Sequence, residues 1–138
     1  MPSPKAQQSR DCVLVPCPNP EFADLVKETG VGLIAIKPFG GGGLLNLKPT
    51  DPLLDSLQNI GASLPQAALR FVLGAREIAS TIPAMNSVEE VMENAGAVQG
   101  EGMSRAEFKL LQIYIEAAEQ SGGNYLPEKY RWLEQWKA

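Results

Sequence analysis

Apolar residues in this chain follow two periods. GLIAIK, from Gly32 to Lys37, and IASTI, from Ile78 to Ile82, are short, continuous and bounded by glycine or proline. That pattern predicts two strands covered on both faces, as in a parallel sheet. Elsewhere the spacing is helical. Asn19 and Pro20 supply a cap and a first-turn proline, and Phe22, Leu25 and Val26 follow on one face before Gly30, predicting a helix over 20–29. Asp51-Pro52 repeats the device for a short helix ending near Gly61.

Three capping boxes come next: Ser63 with Gln66, Ser87 with Glu90, and Ser104 with Glu107. Each pairs a hydroxyl with a carboxylate or amide three residues on, so that the orphan amides of a helix start are satisfied. The first box opens a helix carrying Ala67, Ala68, Phe71 and Val72 to about Leu73. The third opens one carrying Phe108, Leu111, Ile115 and Ala118, which stops at Ser121-Gly122-Gly123. A last helix is predicted from Pro127 to about Trp136, with Trp132 and Trp136 one turn apart and Tyr130 and Leu133 toward a neighbouring face. Such an aromatic pair docks a terminal helix on a core or lines the mouth of a site. Helices alternating with strands predict an α/β fold with parallel strands joined by right-handed crossovers. Residues 1–18, with four prolines and no period, read as a tail or linker before a single domain over 19–138.

Composition narrows the partners. A formal charge of −4 and a pI near 4.9 exclude nucleic acid and anionic membrane surfaces as expected partners, since an acidic surface releases no counterions from a polyanion. The apolar runs fall short of the ~18 residues a membrane span needs, and the opening MPSPKAQQSR is polar, which together point to the cytoplasm. The chain contains no histidine, which removes Ser-His-Asp and Cys-His catalysis and any Cys/His metal site built from this chain alone. Cys12 and Cys17 read as two free thiols or as a redox pair.

The run IAIKPFGGGG places bare backbone at the end of the first strand. It lacks the GxxxxGK[ST] of a P-loop, and the dinucleotide fingerprint GxGxxG should open a helix at once, whereas Leu44–Thr50 reads as loop. Gly40–Gly43 are then either a flexible turn or part of a ligand loop. In a (β/α)₈ barrel ligands bind where loops leave the C-terminal ends of strands; KPFGGGG and PAMNS both occupy such positions. The second runs into the Ser87 cap, where backbone amides and the positive end of a helix dipole could face an anion.

GVGLIAIKPFGGG (30–42), SLPQAALRFVLGAREIASTIPAMNSVEEVMENAGAV (63–98) and MSRAEFKLL (103–111) resemble, in order and spacing, the C-terminal part of the aldo/keto reductases. The resemblance implies the C-terminal portion of a (β/α)₈ TIM-type barrel, with two short parallel strands, about six helices and the barrel incomplete. It implies an NAD(P)-dependent oxidoreductase that reduces a carbonyl by hydride transfer. Lys37, Pro38, Phe39, Gly40 and Gly41 would position the NAD or NADP cofactor. Ile82, Pro83, Ala84, Met85, Asn86 and Ser87 would hold its phosphates, and Asn94 its adenine. NADP-preferring members usually carry basic residues where this chain has Ala84 and Glu90. Glu90 would repel a ribose 2′-phosphate, favouring NAD, and it is also the expected partner of the Ser87 cap.

The family draws its catalytic Asp, Tyr, Lys and His from the first half of the barrel, for which this sequence shows no counterpart upstream of Asn19. Tyr114, Tyr125 and Tyr130 fall in C-terminal helices and tail, where packing roles are expected. The expected partners are therefore a nicotinamide dinucleotide and either a complementary barrel half or a second copy, because two parallel strands leave open edges. The alternative is a non-catalytic remnant that acts as a small binding or oligomerising module.

Overall fold

A computed structural model describes residues 20–100, 102–122 and 125–130. It is a helix-rich mixed α/β arrangement with two short parallel strands. In chain order the elements are α1 (Pro20–Thr29), β1 (Leu33–Ile36), α2 (Gly43–Asn46), α3 (Leu54–Asn59), α4 (Leu64–Leu73), β2 (Ile78–Ile82), α5 (Val88–Ala95) and α6 (Arg105–Gln120). Short 3₁₀ turns occupy Gly40–Gly42, Gly96–Val98 and Glu128–Tyr130. The helix expected from Pro127 to Trp136 falls largely outside the described residues, as do Cys12, Cys17 and the proline-rich opening.

β1 and β2 pair in parallel, with Leu33 opposite Ile78, Ile34 opposite Ser80, Ala35 opposite Thr81 and Ile36 opposite Ile82. The irregularity after Leu33 leaves Ala79 as an extra residue, and this bulge has a large effect on a strand whose side chains alternate with period two. In a regular strand Ile78, Ser80 and Ile82 would share a face. Here Ile78 joins the core with Ala35, while Ile82 is left 58% exposed beside Ile36 at 55% and near Ile34 at 60%. The expectation of strands covered on both faces is thus corrected. Helices cover one face only, and the other carries three open isoleucines.

The core lies between the sheet, α4 and α6. Ala67, Ala68, Leu69 and Val72 of α4 meet Ala35, Phe39, Leu44, Ala97, Leu111 and Ile115, and the two alanines allow close backbone approach. α6 buries Leu110, Leu111, Ile113, Ile115 and Ala118, whereas Phe108, expected on that face, is left 39% exposed because it falls at the edge of the helical stripe centred on Glu107, Leu111 and Ala118. Arg70 ties the layers together. Its guanidinium pairs with Glu107 and donates to the carbonyls of Gly96 (2.9 Å), Ala97 (3.0 Å) and Gln99 (3.0 Å).

All three serine caps form, with Ser63, Ser87 and Ser104 accepting from the amides of Gln66, Glu90 and Glu107. Only Ser104 and Glu107 complete the reciprocal box. Gln66 instead donates to the carbonyl of Glu93 at 3.0 Å, and Glu90 accepts from the amide of Asn86 at 2.6 Å. Tertiary partners and a neighbouring loop amide outcompete the local return bond there. Among the described residues no helix is long and apolar enough to cross a membrane.

Candidate functional site

The open face of the sheet leads, at the C-terminal ends of both strands, into a cavity of about 830 Å³. That volume lies within the range of small-molecule and cofactor sites. Ile36 and Ile82 form an apolar floor, and the loops after β1 and β2 and the first two turns of α5 supply the walls. Of the residues singled out in the sequence, Lys37, Pro38, Phe39, Gly41, Ile82, Pro83, Ala84, Asn86, Glu90 and Asn94 line this cavity. Gly40, Met85 and Ser87 do not. Gly40 turns toward Tyr125 and Leu126, Met85 lines a smaller apolar groove along β2, and Ser87 is spent on capping α5. Asn94 is buried at the junction of that groove and the cavity.

The loop after β1 is tighter than a flexible turn. Lys37 has φ of 56°, in the left-handed region, and Gly41 and Gly42 continue at 65° and 94°. Such a φ is uncommon for a lysine and is maintained only where the surroundings require it. The backbone then winds through a 3₁₀ turn into α2, so part of the expected loop over Leu44–Thr50 is helical. Amides of Gly40, Gly42 and Leu44 donate to the carbonyls of Lys37 (2.9 Å), Phe39 (3.0 Å) and Phe39 (3.2 Å), and that of Gly43 donates to Gly40. These amides serve the loop itself.

The start of α5 is similarly committed. Ser87 Oγ takes the Glu90 amide, and Glu90 takes the Asn86 amide. The Glu89 carboxyl is held below the usual carboxylate range by hydrogen bonds from its own backbone amide and then from the Ser87 hydroxyl. Amides expected to face an anionic ligand at this helix start are therefore met by the chain's own side chains, with Glu89 and Glu90 opposing the positive dipole end.

Several lining residues had no sequence signal as site residues. Glu89 and Glu93 join Glu90 to give α5 a carboxylate wall, and Lys129 reaches the cavity from the C-terminal segment. Their helical spacing could have marked Glu89 and Glu93 as neighbours of Glu90 and Asn94, whereas nothing local connects Lys129 with residues 90 positions away. Glu93 is fixed by the Ser63 hydroxyl, which donates to its Oε1 and so links the start of α4 to the cavity wall. Among the described residues no group of His, Cys, Asp and Glu is arranged to hold a metal ion.

Comparison with protein-family models, with curated proteins and with solved structures returned no match to this chain.

Proposed function

We propose that this chain is the cofactor-side, C-terminal portion of an aldo/keto reductase-like (β/α)₈ barrel, and that its cavity takes a nicotinamide dinucleotide. One observation carries the proposal: two loops leaving the C-terminal ends of parallel strands converge, with α5, on a single cavity with an apolar floor. The barrel resemblance supports the same placement. Ile36 and Ile82 would pack on an aromatic ring of the cofactor, and Asn94 would offer both donor and acceptor to a base edge.

When bound, the nicotinamide would supply hydride to a substrate carbonyl carbon, and the carbonyl oxygen would require a proton. The tyrosine, lysine, histidine and aspartate that do this in the family have no counterpart in the segments that carry the resemblance. The proton donor would therefore come from a complementary half. Glu90 beside Ala84 favours NAD over NADP, because a carboxylate near the 2′-phosphate adds repulsion of about 1–4 kcal/mol at contact distance.

Thermal unfolding followed by circular dichroism, with and without millimolar NADH or NADPH, tests this. A ligand at ~100 times its Kd adds about 2.7 kcal/mol, several degrees for a domain of this size. A rise with NADH that exceeds the rise with NADPH is expected; no rise with either overturns the proposal.

The exposed Ile34, Ile36 and Ile82 favour a second reading, a module that associates through its open sheet. Sedimentation velocity separates the two. Self-association indifferent to nucleotide favours the module, and a monomer with a saturable nucleotide site counts against it.

A further inference from the structure

Arg76 and the carboxylates of α5 stand at opposite ends of β2. Arg76, two residues before the strand, is exposed and pairs with no carboxylate among the described residues, whereas Glu89 and Glu90 are exposed in the first turn of α5, beyond the strand's far end. Among the described residues β2 has one neighbour, β1, and nothing in IASTI blocks pairing along its other edge, since the strand contains neither charge nor proline. Ala79 and Ser80 are small and exposed. An apolar groove of about 390 Å³ runs along β2 there, walled by Leu69, Leu73, Met85, Val91 and Val98. Val88 and Met92, both exposed, continue the Val91 side of α5 by helical spacing, away from the cavity that its carboxylates line.

We infer that a second copy of this chain occupies this edge, the two β2 strands pairing antiparallel about a twofold axis at Ser80. Charge selects the occupant and its direction. Full overlap of the two strands sets Ile78 opposite the partner's Ile82 and Ala79 opposite the partner's Thr81, so that Arg76 falls opposite the partner's Ala84. Ala84 lines the same cavity as Glu89 and Glu90. Each copy thus brings an unpaired cation to its partner's carboxylate wall, and the contact is made twice because a twofold interface is isologous. An in-register parallel approach would instead set Arg76 beside Arg76 and carboxylates beside carboxylates, which is destabilising.

The apolar surroundings suit the same arrangement. The arriving strand lies along the groove and removes part of its wall from water, and the cavity of each copy gains a guanidinium at its mouth that a monomer does not place there. The inference rests on the second reading above, association through the open sheet, and deepens it by naming the edge, the occupant and the register. A complementary barrel half would need the same edge, so the two occupants exclude one another.

Sedimentation velocity across a dilution series of the full chain tests the charge contact. Arg76→Glu turns two attractions into two repulsions and should weaken the dimer about tenfold, while Arg105→Glu, exposed on α6 and outside both groove and cavity, should leave it unchanged. Disulfide trapping tests the register. Directly opposite residues of an antiparallel pair have Cβ atoms about 4.5–5.5 Å apart, within a small adjustment of disulfide geometry. In a Cys12→Ser, Cys17→Ser background, Ser80→Cys should therefore form a cross-linked dimer on mild oxidation, seen by non-reducing electrophoresis, and the exposed control Ser56→Cys should not. A Ser80→Cys variant that does not cross-link, or self-association that Arg76→Glu leaves unchanged, overturns this pairing while leaving association through the open sheet standing. A chain that stays monomeric throughout the series overturns both.

Discussion

Gly43 lies so close to Tyr125 that a Cβ on the glycine would stand 2.0 Å from the tyrosine's carbonyl oxygen. Gly43 has ordinary helical dihedrals, so glycine is needed there for space and not for conformation. The contact joins the loop after β1 to the segment that carries Lys129.

Gly43→Ala should therefore displace the Tyr125 backbone. Overpacking of this kind costs about 1–3 kcal/mol, and the melting temperature should fall by several degrees. The same substitution should weaken NADH binding, because Gly42 and Leu45 beside it line the cavity. Differential scanning calorimetry and titration on one sample check both, and an unaltered melting temperature would show that the contact is not close.

Arg70→Met should cost about 3–5 kcal/mol, because it leaves the Glu107 carboxylate buried without its cation and removes the guanidinium bonds to the carbonyls of Gly96, Ala97 and Gln99, of which Gly96 still accepts from the Gln99 amide. Glu107→Gln should cost less, as an amide can still accept from the Ser104 amide, 2.8 Å from the Glu107 carboxylate. Urea denaturation monitored by tryptophan fluorescence measures the two midpoints, and equal losses would count against the buried pair as the connection between α4 and α6.

Glu90→Gln keeps an acceptor for the Asn86 amide, so folding should change by less than about 1 kcal/mol. Removing its charge should raise NADPH affinity relative to NADH by about threefold to tenfold. Competition titrations with both nucleotides read this ratio, and a ratio that does not move would remove Glu90 as a determinant.

Glu89 sets a pH dependence with a defined sign. Its folded pKa lies below the ordinary value of 4.5, through its own amide first and Ser87 second. Its contribution to stability is present above the unfolded value and is lost as pH falls through the lower folded one. Wild type should thus lose more stability than Glu89→Gln as pH falls below the ordinary value of 4.5, and the two curves should converge once the folded carboxyl is protonated. Parallel acid titrations of the melting temperature, wild type against variant, test this; curves offset by a constant amount would refute it.

Much of the fold was legible because its signals are local. Ser63, Ser87 and Ser104 each bond an amide three residues on, and IASTI forms β2 over the same residues that its composition marks. Most loop residues singled out for the site do meet in one cavity, since both loops leave parallel strands at the same end. What the local pattern missed depends on distant partners. Gln66 was expected to close its own capping box and instead reaches Glu93, and Phe108 was expected inside and lies outside.

The sequence by itself determined where the helices capped by Ser63, Ser87 and Ser104 begin, where the two strands run and that the loop after β1 would be built of bare backbone, because capping, proline geometry and apolar runs act within a few residues. Tertiary structure alone decided the bulge at Ala79 that sends Ile78 inward and Ile82 to the cavity floor, the ion pair across 37 positions between Arg70 and Glu107, and the place of Lys129 in the wall of the cavity. Those outcomes depend on register and on packing between segments distant in the chain, which no short window of residues encodes.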